Sequence, residues 1–254
     1  MWWRDSIAKC VRGLCLALLL LLLFSACGGG EDEALRRIRK SGQLRVAIDP
    51  SFPPFETVNG QGEIVGLDVD LARAIAQDLG VEAVFVTTSY DALYDAIISG
   101  DADIIISALY PDPSQMQTFA FSSAYFNAGE VIVVPNNIAV NNIPADLAGK
   151  RISVVNSTAG HLEALQWKKS LSPAPTIVAA ATGEEAINML INGQVDASVV
   201  SNITAQMAIG AHPELQKVGH HLSQEPYVIA TRAENTQLME AIEDALDNMR
   251  ENGA

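Results

Sequence analysis

Residues 44–79 run LRVAIDPSFPPFETVNGQGEIVGLDVDLARAIAQDL, and no other stretch restricts the fold as strongly. Residues 44–48 form a short apolar, β-branched run of the kind found in buried strands. Asp49-Pro50 ends it with a turn signal. Ser51-Phe52-Pro53-Pro54-Phe55 follows, two aromatics beside two prolines that fix φ and remove backbone donors. Asn59-Gly60 is a hairpin-type turn pair, and 64–67 reads as a second short strand. Asp68 or Asp70 is expected to cap the next helix, whose apolar stripe is Val69, Leu71, Ala72, Ala74, Ile75 and Leu79. A strand thus ends at a rigid aromatic corner and a helix returns along the sheet. Open α/β sheets bind ligands at strand ends of this kind.

The same alternation continues to the end of the chain. Strands are expected at 81–87, 103–108, 129–135, 150–155, 176–180, 195–200 and 227–231. Helices are expected at 34–40, 90–99, from the turn at 156–160 through Trp167, and at 184–191, 203–209 and 237–250. The near-continuous apolar run DIIISA at 103–108 suits a parallel strand covered on both faces. Ser99-Gly100-Asp101-Ala102-Asp103 is echoed by Asn192-Gly193-Gln194-Val195-Asp196-Ala197, each after a helix and opening a strand. The pattern therefore describes two similar α/β lobes with a cleft between them.

The first residues stand apart from this pattern. Arg4, Lys9 and Arg12 precede a mostly leucine run at 13–24, which has the length of a signal-peptide apolar region and is short for a membrane span. Phe24-Ser25-Ala26-Cys27, followed by three glycines, resembles a bacterial lipoprotein signal. Residues 1–26 would be the signal peptide, Cys27 the lipid-modified first residue, and 27–32 a flexible tether. The three cysteines are Cys10, Cys15 and Cys27, so the exported part has no internal disulfide and no thiol metal site. From Cys27 on, 228 residues carry 13 Lys and Arg against 29 Asp and Glu, a net charge of about −16. That balance argues against nucleic acid as a partner. His220-His221 are adjacent on a loop and point apart, which does not make a metal site. No Gly-x-Ser-x-Gly, cysteine nucleophile or His-Glu metal motif is present, so the sequence offers no catalytic constellation and no cofactor site.

Taken in order, several segments resemble the family 3 extracellular solute-binding proteins, which deliver polar amino acids to ABC importers. They are Leu44-Arg45-Val46-Ala47, Pro53-Pro54-Phe55-Glu56, Gly66-Leu67-Asp68-Val69-Asp70-Leu71-Ala72, Ser99 to Asp103, Phe121-Ser122-Ser123-Ala124-Tyr125, Asp146-Leu147-Ala148-Gly149-Lys150, Gly193 to Ala197, and the closing helix. The likeness covers nearly all of 41–253. It implies a type II periplasmic binding protein fold: two Rossmann-like α/β lobes joined by a two-segment hinge that closes on the ligand. Lobe 1 would be 33–131 plus 226–254, and lobe 2 would be 132–225. It further implies a monomeric, extracytoplasmic binding protein, not an enzyme, held to the membrane by its lipid and working with an ABC permease. A stand-alone ligand sensor is the alternative, and a periplasmic dehydratase-like enzyme a second one.

The resemblance also places site residues. Asp49 and Phe52 fall at the first-lobe turn, Tyr90 at the second aromatic clamp, and Ser107, Ala108 and Leu109 at the strand end that receives the ligand carboxylate. Ser157, Thr158 and Ala159 fall at a helix start in lobe 2, where backbone N–H groups suit an anion. Two charged anchors are missing. Gln115 stands where the family has an arginine for the ligand α-carboxylate, Asp112 where it has a threonine, and Tyr110 where it has a hydroxyl just before them. Ser201 stands where an aspartate pairs with the ligand α-ammonium. Losing one anchor alone would strand the ligand's other charge, at roughly 2–5 kcal/mol. Losing both fits a neutral-polar or cationic small molecule rather than a standard α-amino acid, with Phe52, Tyr90 and Tyr110 as stacking faces and Asp49 and Asp112 as cation partners. Phe55 is expected in the core, His161 at the surface, and Asp68, Asp70 and Asp103 as caps and turn ligands.

Overall fold

In the computed structural model, residues 32–253 are described; the expected signal peptide at 1–26, the expected lipidation site Cys27 and all of the expected tether but Asp32 lie outside the described residues. Two five-stranded mixed sheets organise the chain. In the first, Gln43–Ile48 lies between Glu82–Thr87 and Ile104–Ile105, parallel to both. Ala230–Arg232 and then Phe119–Phe121 complete it antiparallel. The second repeats the plan: Arg151–Val155 lies between Thr176–Ala180 and Ala197–Ser201, parallel to both, followed by antiparallel Glu130–Pro135 and Leu215–Val218.

Alternate side chains of each strand feed cores on opposite faces. Val46, Ile104 and Ile106 pack with the helices Glu33–Ser41, Leu67–Asp78 and Thr236–Asn252. Ala47, Ile105 and Ala230 pack on the other face with Leu93, Ala96 and Ile97 of the helix Leu93–Ser99. The second sheet is sandwiched likewise: Val133 and Val200 lie against Ile187 and Leu190 on one face, and Ile132, Val154 and Val199 against Ala164 and Trp167 on the other.

The chain passes between the sheets twice, at Phe126–Asn127 and Pro226–Tyr227, and the two crossings pair as an antiparallel ribbon. The single strand expected at 227–231 is therefore two, because the backbone leaves the ribbon ladder at Tyr227 and joins the first sheet at Ala230. Asn127 locks the ribbon: its Oδ1 accepts from Gly129 N at 3.0 Å and Glu225 N at 2.9 Å, and its Nδ2 donates to Gln224. Asn202, from the second sheet's side, donates to the Asn127 carbonyl at 2.7 Å.

Neither aspartate caps the helix Leu67–Asp78. Its N-cap is Gly66, with φ 137° and no side-chain cap bond. A Cβ at Gly66 would overlap the carbonyl of Phe55, so glycine lets the helix start press against the aromatic corner. Asp68 is instead fully buried beside the third strand.

The repeated Gly-x-x-Asp segments carry one device twice. Arg45 bonds Asp103 through its backbone N, Nε and Nη2, and reaches the Gly100 carbonyl with Nη1. Arg151 grips Asp196 through the same three groups and reaches the Gly193 carbonyl. Arg37 adds a second cation to Asp103 only. Against burial, the bonds from Arg45 and Arg37 hold the Asp103 carboxyl below the usual range. The Asp103 side chain is 1% exposed and that of Asp196 30%. We therefore expect Asp103→Asn to lower the unfolding free energy by about 3 kcal/mol, as breaking a buried pair does, and Asp196→Asn by less than about 1 kcal/mol. Urea unfolding of the two variants checks this; equal losses would contradict it.

Candidate functional site

A cavity of about 290 Å³ opens where the first sheet's parallel strands end, lined by Asp49, Ser51, Phe52, Glu56, Tyr90, Ser107, Ala108, Tyr110 and Tyr227. A relay of hydrogen bonds builds it. Asp49 Oδ2 accepts from Tyr90 N at 2.9 Å and Asp49 N donates to Ser107 Oγ at 3.0 Å. Ser107 Oγ then donates to Glu56 Oε1 at 2.9 Å. Ala108 has φ 42°, a left-handed conformation that costs a non-glycine residue about 1–3 kcal/mol. Its N–H is held there by Asp68 Oδ2 at 2.6 Å, which also accepts from Tyr125 Oη at 3.0 Å.

Aromatic rings form the walls. Phe52, Tyr90 and Tyr110 are each more than two-fifths exposed at the mouth. Phe52 stacks on buried Phe55 at 5.7 Å, and Phe55 meets Tyr227 edge-on at 5.1 Å. Tyr110 meets Tyr227 edge-on at 5.0 Å, and its hydroxyl lies 3.4 Å from that of Tyr227. Offset and edge contacts of this kind fix ring positions beyond what burial alone gives. Phe55 is thus core, as its sequence setting indicates. Ile203, from the helix Asn202–Ala211 beside the second sheet, packs against this same cluster.

Beneath the cavity lie two carboxyls, Glu56 and Asp68, 1% and 0% exposed. Burial, and then the Asp68 carboxylate, push Glu56 up to about 9; burial raises Asp68 as well. Glu56 Oε2 and Asp68 Oδ1 have no other partner, and one proton shared between the two carboxyls satisfies both. Burial also raises the Tyr90 and Tyr227 hydroxyls. No lysine or arginine lines the cavity.

The remaining residues singled out by sequence lie outside that lining. Leu109 is core, and its carbonyl accepts from Val228 N. Asp112 caps the short turn Pro113–Gln115, accepting from Ser114 N and Oγ at 2.8 and 2.7 Å, with Gln115 half-buried at the turn's end. Ser157, Thr158 and Ala159 sit after the second sheet's strand Arg151–Val155: Ser157 has φ 65° and Thr158 caps the helix Ala159–Ser170. His161, expected at the surface, is half-buried and accepts from Ser157 N at 3.2 Å. Ser201 ends the strand Ala197–Ser201 and caps Asn202–Ala211. Among the described residues, no cluster of three or more His, Cys, Asp or Glu is placed to hold a metal ion. The residues that sequence reasoning missed are Ser51, Glu56 and Tyr227. Glu56 is buried through its bond from Ser107, 51 residues away, and Tyr227 reaches the cavity because the ribbon returns it there.

Residues 44–254 match the bacterial extracellular solute-binding proteins, family 3, and the chain belongs to that family. It is 31% identical over 237 residues to a probable histidine-binding protein of Neisseria gonorrhoeae, covering 91% of this chain and 87% of that one. It is 27% identical to the histidine-binding periplasmic protein of Escherichia coli, with 96% and 94% covered. Among solved structures it resembles an ancestral cationic amino acid solute-binding protein, at 29% identity, TM-score 0.58, and 87% and 95% covered. It also resembles the second substrate-binding domain of a putative amino acid ABC transporter from Streptococcus pneumoniae, at 26% identity, TM-score 0.66, and 83% and 94% covered. These relatives are binding proteins rather than enzymes. No helix among the described residues is long and apolar enough to cross a membrane.

The buried carboxyl pair makes stability depend on pH in an unusual direction. The native protein keeps a proton that the unfolded chain releases above the ordinary glutamate range, so the contribution is full at low pH and is lost as pH rises through about 9. We expect the unfolding free energy from urea titration to fall between about pH 5 and 8.5, by at most about 1.4 kcal/mol per pH unit, with the midpoint falling alongside, and Glu56→Gln to flatten the slope. A wild-type midpoint that rises over this range would contradict the shared proton.

Proposed function

We propose that this protein captures a small polar solute outside the cytoplasm and presents it to an ABC permease. The two lobes, about 33–131 plus 226–254 and about 132–225, close on the solute about the ribbon of Phe126–Asn127 and Pro226–Tyr227. Family membership supports the importer role, and the leader with Cys27 supports export and lipid anchoring. We take the solute to be neutral-polar or cationic rather than a standard α-amino acid. The observation that carries this is the cavity itself: aromatic faces at Phe52, Tyr90 and Tyr110, carboxyls at Asp49 and Glu56, and no cationic side chain. A ligand carboxylate finds no partner there, whereas a cation meets ring faces and acceptors. Gln115 and Ser201 in place of the family's charged anchors agree with this.

The relatives favour a second reading. They are named for histidine and cationic amino acids, which share a positive side chain but also carry an α-carboxylate. Isothermal titration calorimetry with the twenty amino acids separates the two. We expect none of them to bind with a sub-micromolar Kd, and one that did would restore the amino-acid reading.

A further inference from the structure

We propose that Glu130 is the solute-selecting anion of the second lobe: it supplies the negative charge that Ser201 lacks and denies the adjoining helix start to a carboxylate, so the solute is a small organic cation without a carboxylate. This narrows the solute class proposed above and rests on it.

Glu130 opens the strand Glu130–Pro135 just after the ribbon and is 5% exposed. Its direct partner across the antiparallel ladder is Ser201. Residues so paired project side chains from the same face, roughly 5 Å apart at Cβ. A carboxylate therefore stands one strand away from the position where the family resemblance places an aspartate. The negative charge has moved across the ladder.

The carboxylate is also built into the helix Ala159–Ser170. Glu130 Oε2 accepts from the N–H of Gly160 in the helix's first turn. A Cβ at Gly160 would overlap that oxygen and Val199 Cγ1, so this glycine is what admits the carboxylate. Two further N–H groups here are engaged, His161 N with Thr158 Oγ1 at 3.3 Å and Ser157 N with His161 Nδ1 at 3.2 Å. The helix's positive end thus already faces a resident anion. A ligand carboxylate arriving here would meet Glu130 as a like charge in a closed site, whereas an ammonium or guanidinium would meet a partner. From the opposite lobe, Asp49 and the rings of Phe52 and Tyr90 suit the same cation.

The test uses pairs that differ only by the α-carboxylate: histamine and histidine, agmatine and arginine, cadaverine and lysine. Each is titrated into purified wild-type, Glu130→Gln and Glu130→Asp protein by calorimetry and by thermal shift. We expect the wild type to prefer the amine in at least one pair by about tenfold or more. Glu130→Gln, which keeps an acceptor for Gly160, should lose about tenfold in amine affinity and erase the preference, while Glu130→Asp retains it. If Glu130→Gln lowers Tm but leaves the amine-to-acid ratio unchanged, Glu130 is only a structural cap, and the solute class stands without it. A wild type that prefers the acids overturns the solute class itself. A wild type whose Tm no amine shifts at about 10 mM overturns the organic-cation assignment.

Discussion

The buried carboxyls Glu56 and Asp68 tie together the segments that build the cavity. Glu56 follows the aromatic corner, Asp68 lies in the first turn of the helix Leu67–Asp78, and both reach the end of the third parallel strand, Glu56 through Ser107 and Asp68 through Ala108. Two carboxylates in so dry a place would repel each other, and a shared proton removes that penalty. With the proton in place the pair holds Ala108 in its left-handed conformation and sets Ser107 under Asp49. The cavity's floor therefore holds one negative charge shared by two carboxyls rather than two opposed ones, and it presents the Glu56 and Ser107 oxygens to the cavity.

Around this floor the chain uses one scaffold twice. Each sheet has a strand flanked by two parallel neighbours and then two antiparallel strands, and each has an arginine clamped to an aspartate that follows a glycine turn. The copies differ in burial and in the number of cations. The first clamp is buried and doubly paired. The second is half-exposed and singly paired. The two-stranded ribbon between them is pinned by Asn127. Ile203, from the helix beside the second sheet, packs against the cluster of Phe55, Ala108, Ala128 and Tyr227, which ties that helix to the cavity wall.

Much of this was legible in the sequence, and particular residues show why the rest was not. The aromatic corner announced Phe52 and Phe55 because two prolines leave the chain few conformations. The Gly-x-x-Asp repeat announced the doubled sheet. Asp68 was misread as a helix cap because caps are a local pattern, whereas its true partner, Ala108, lies 40 residues away. Tyr227 meets Tyr110 across 117 residues, and Glu130 meets Gly160 across 30. Nothing in local spacing reports such contacts.

By itself, the sequence determined the alternating α/β pattern, the two-fold repeat and the aromatic corner, because each is written in residue type and short-range periodicity. Only the tertiary structure decided which carboxyls are buried together, which residues line the cavity, and that Glu130 stands beside Ser201. Burial and cross-strand register are products of packing, and packing joins residues that the chain order keeps far apart.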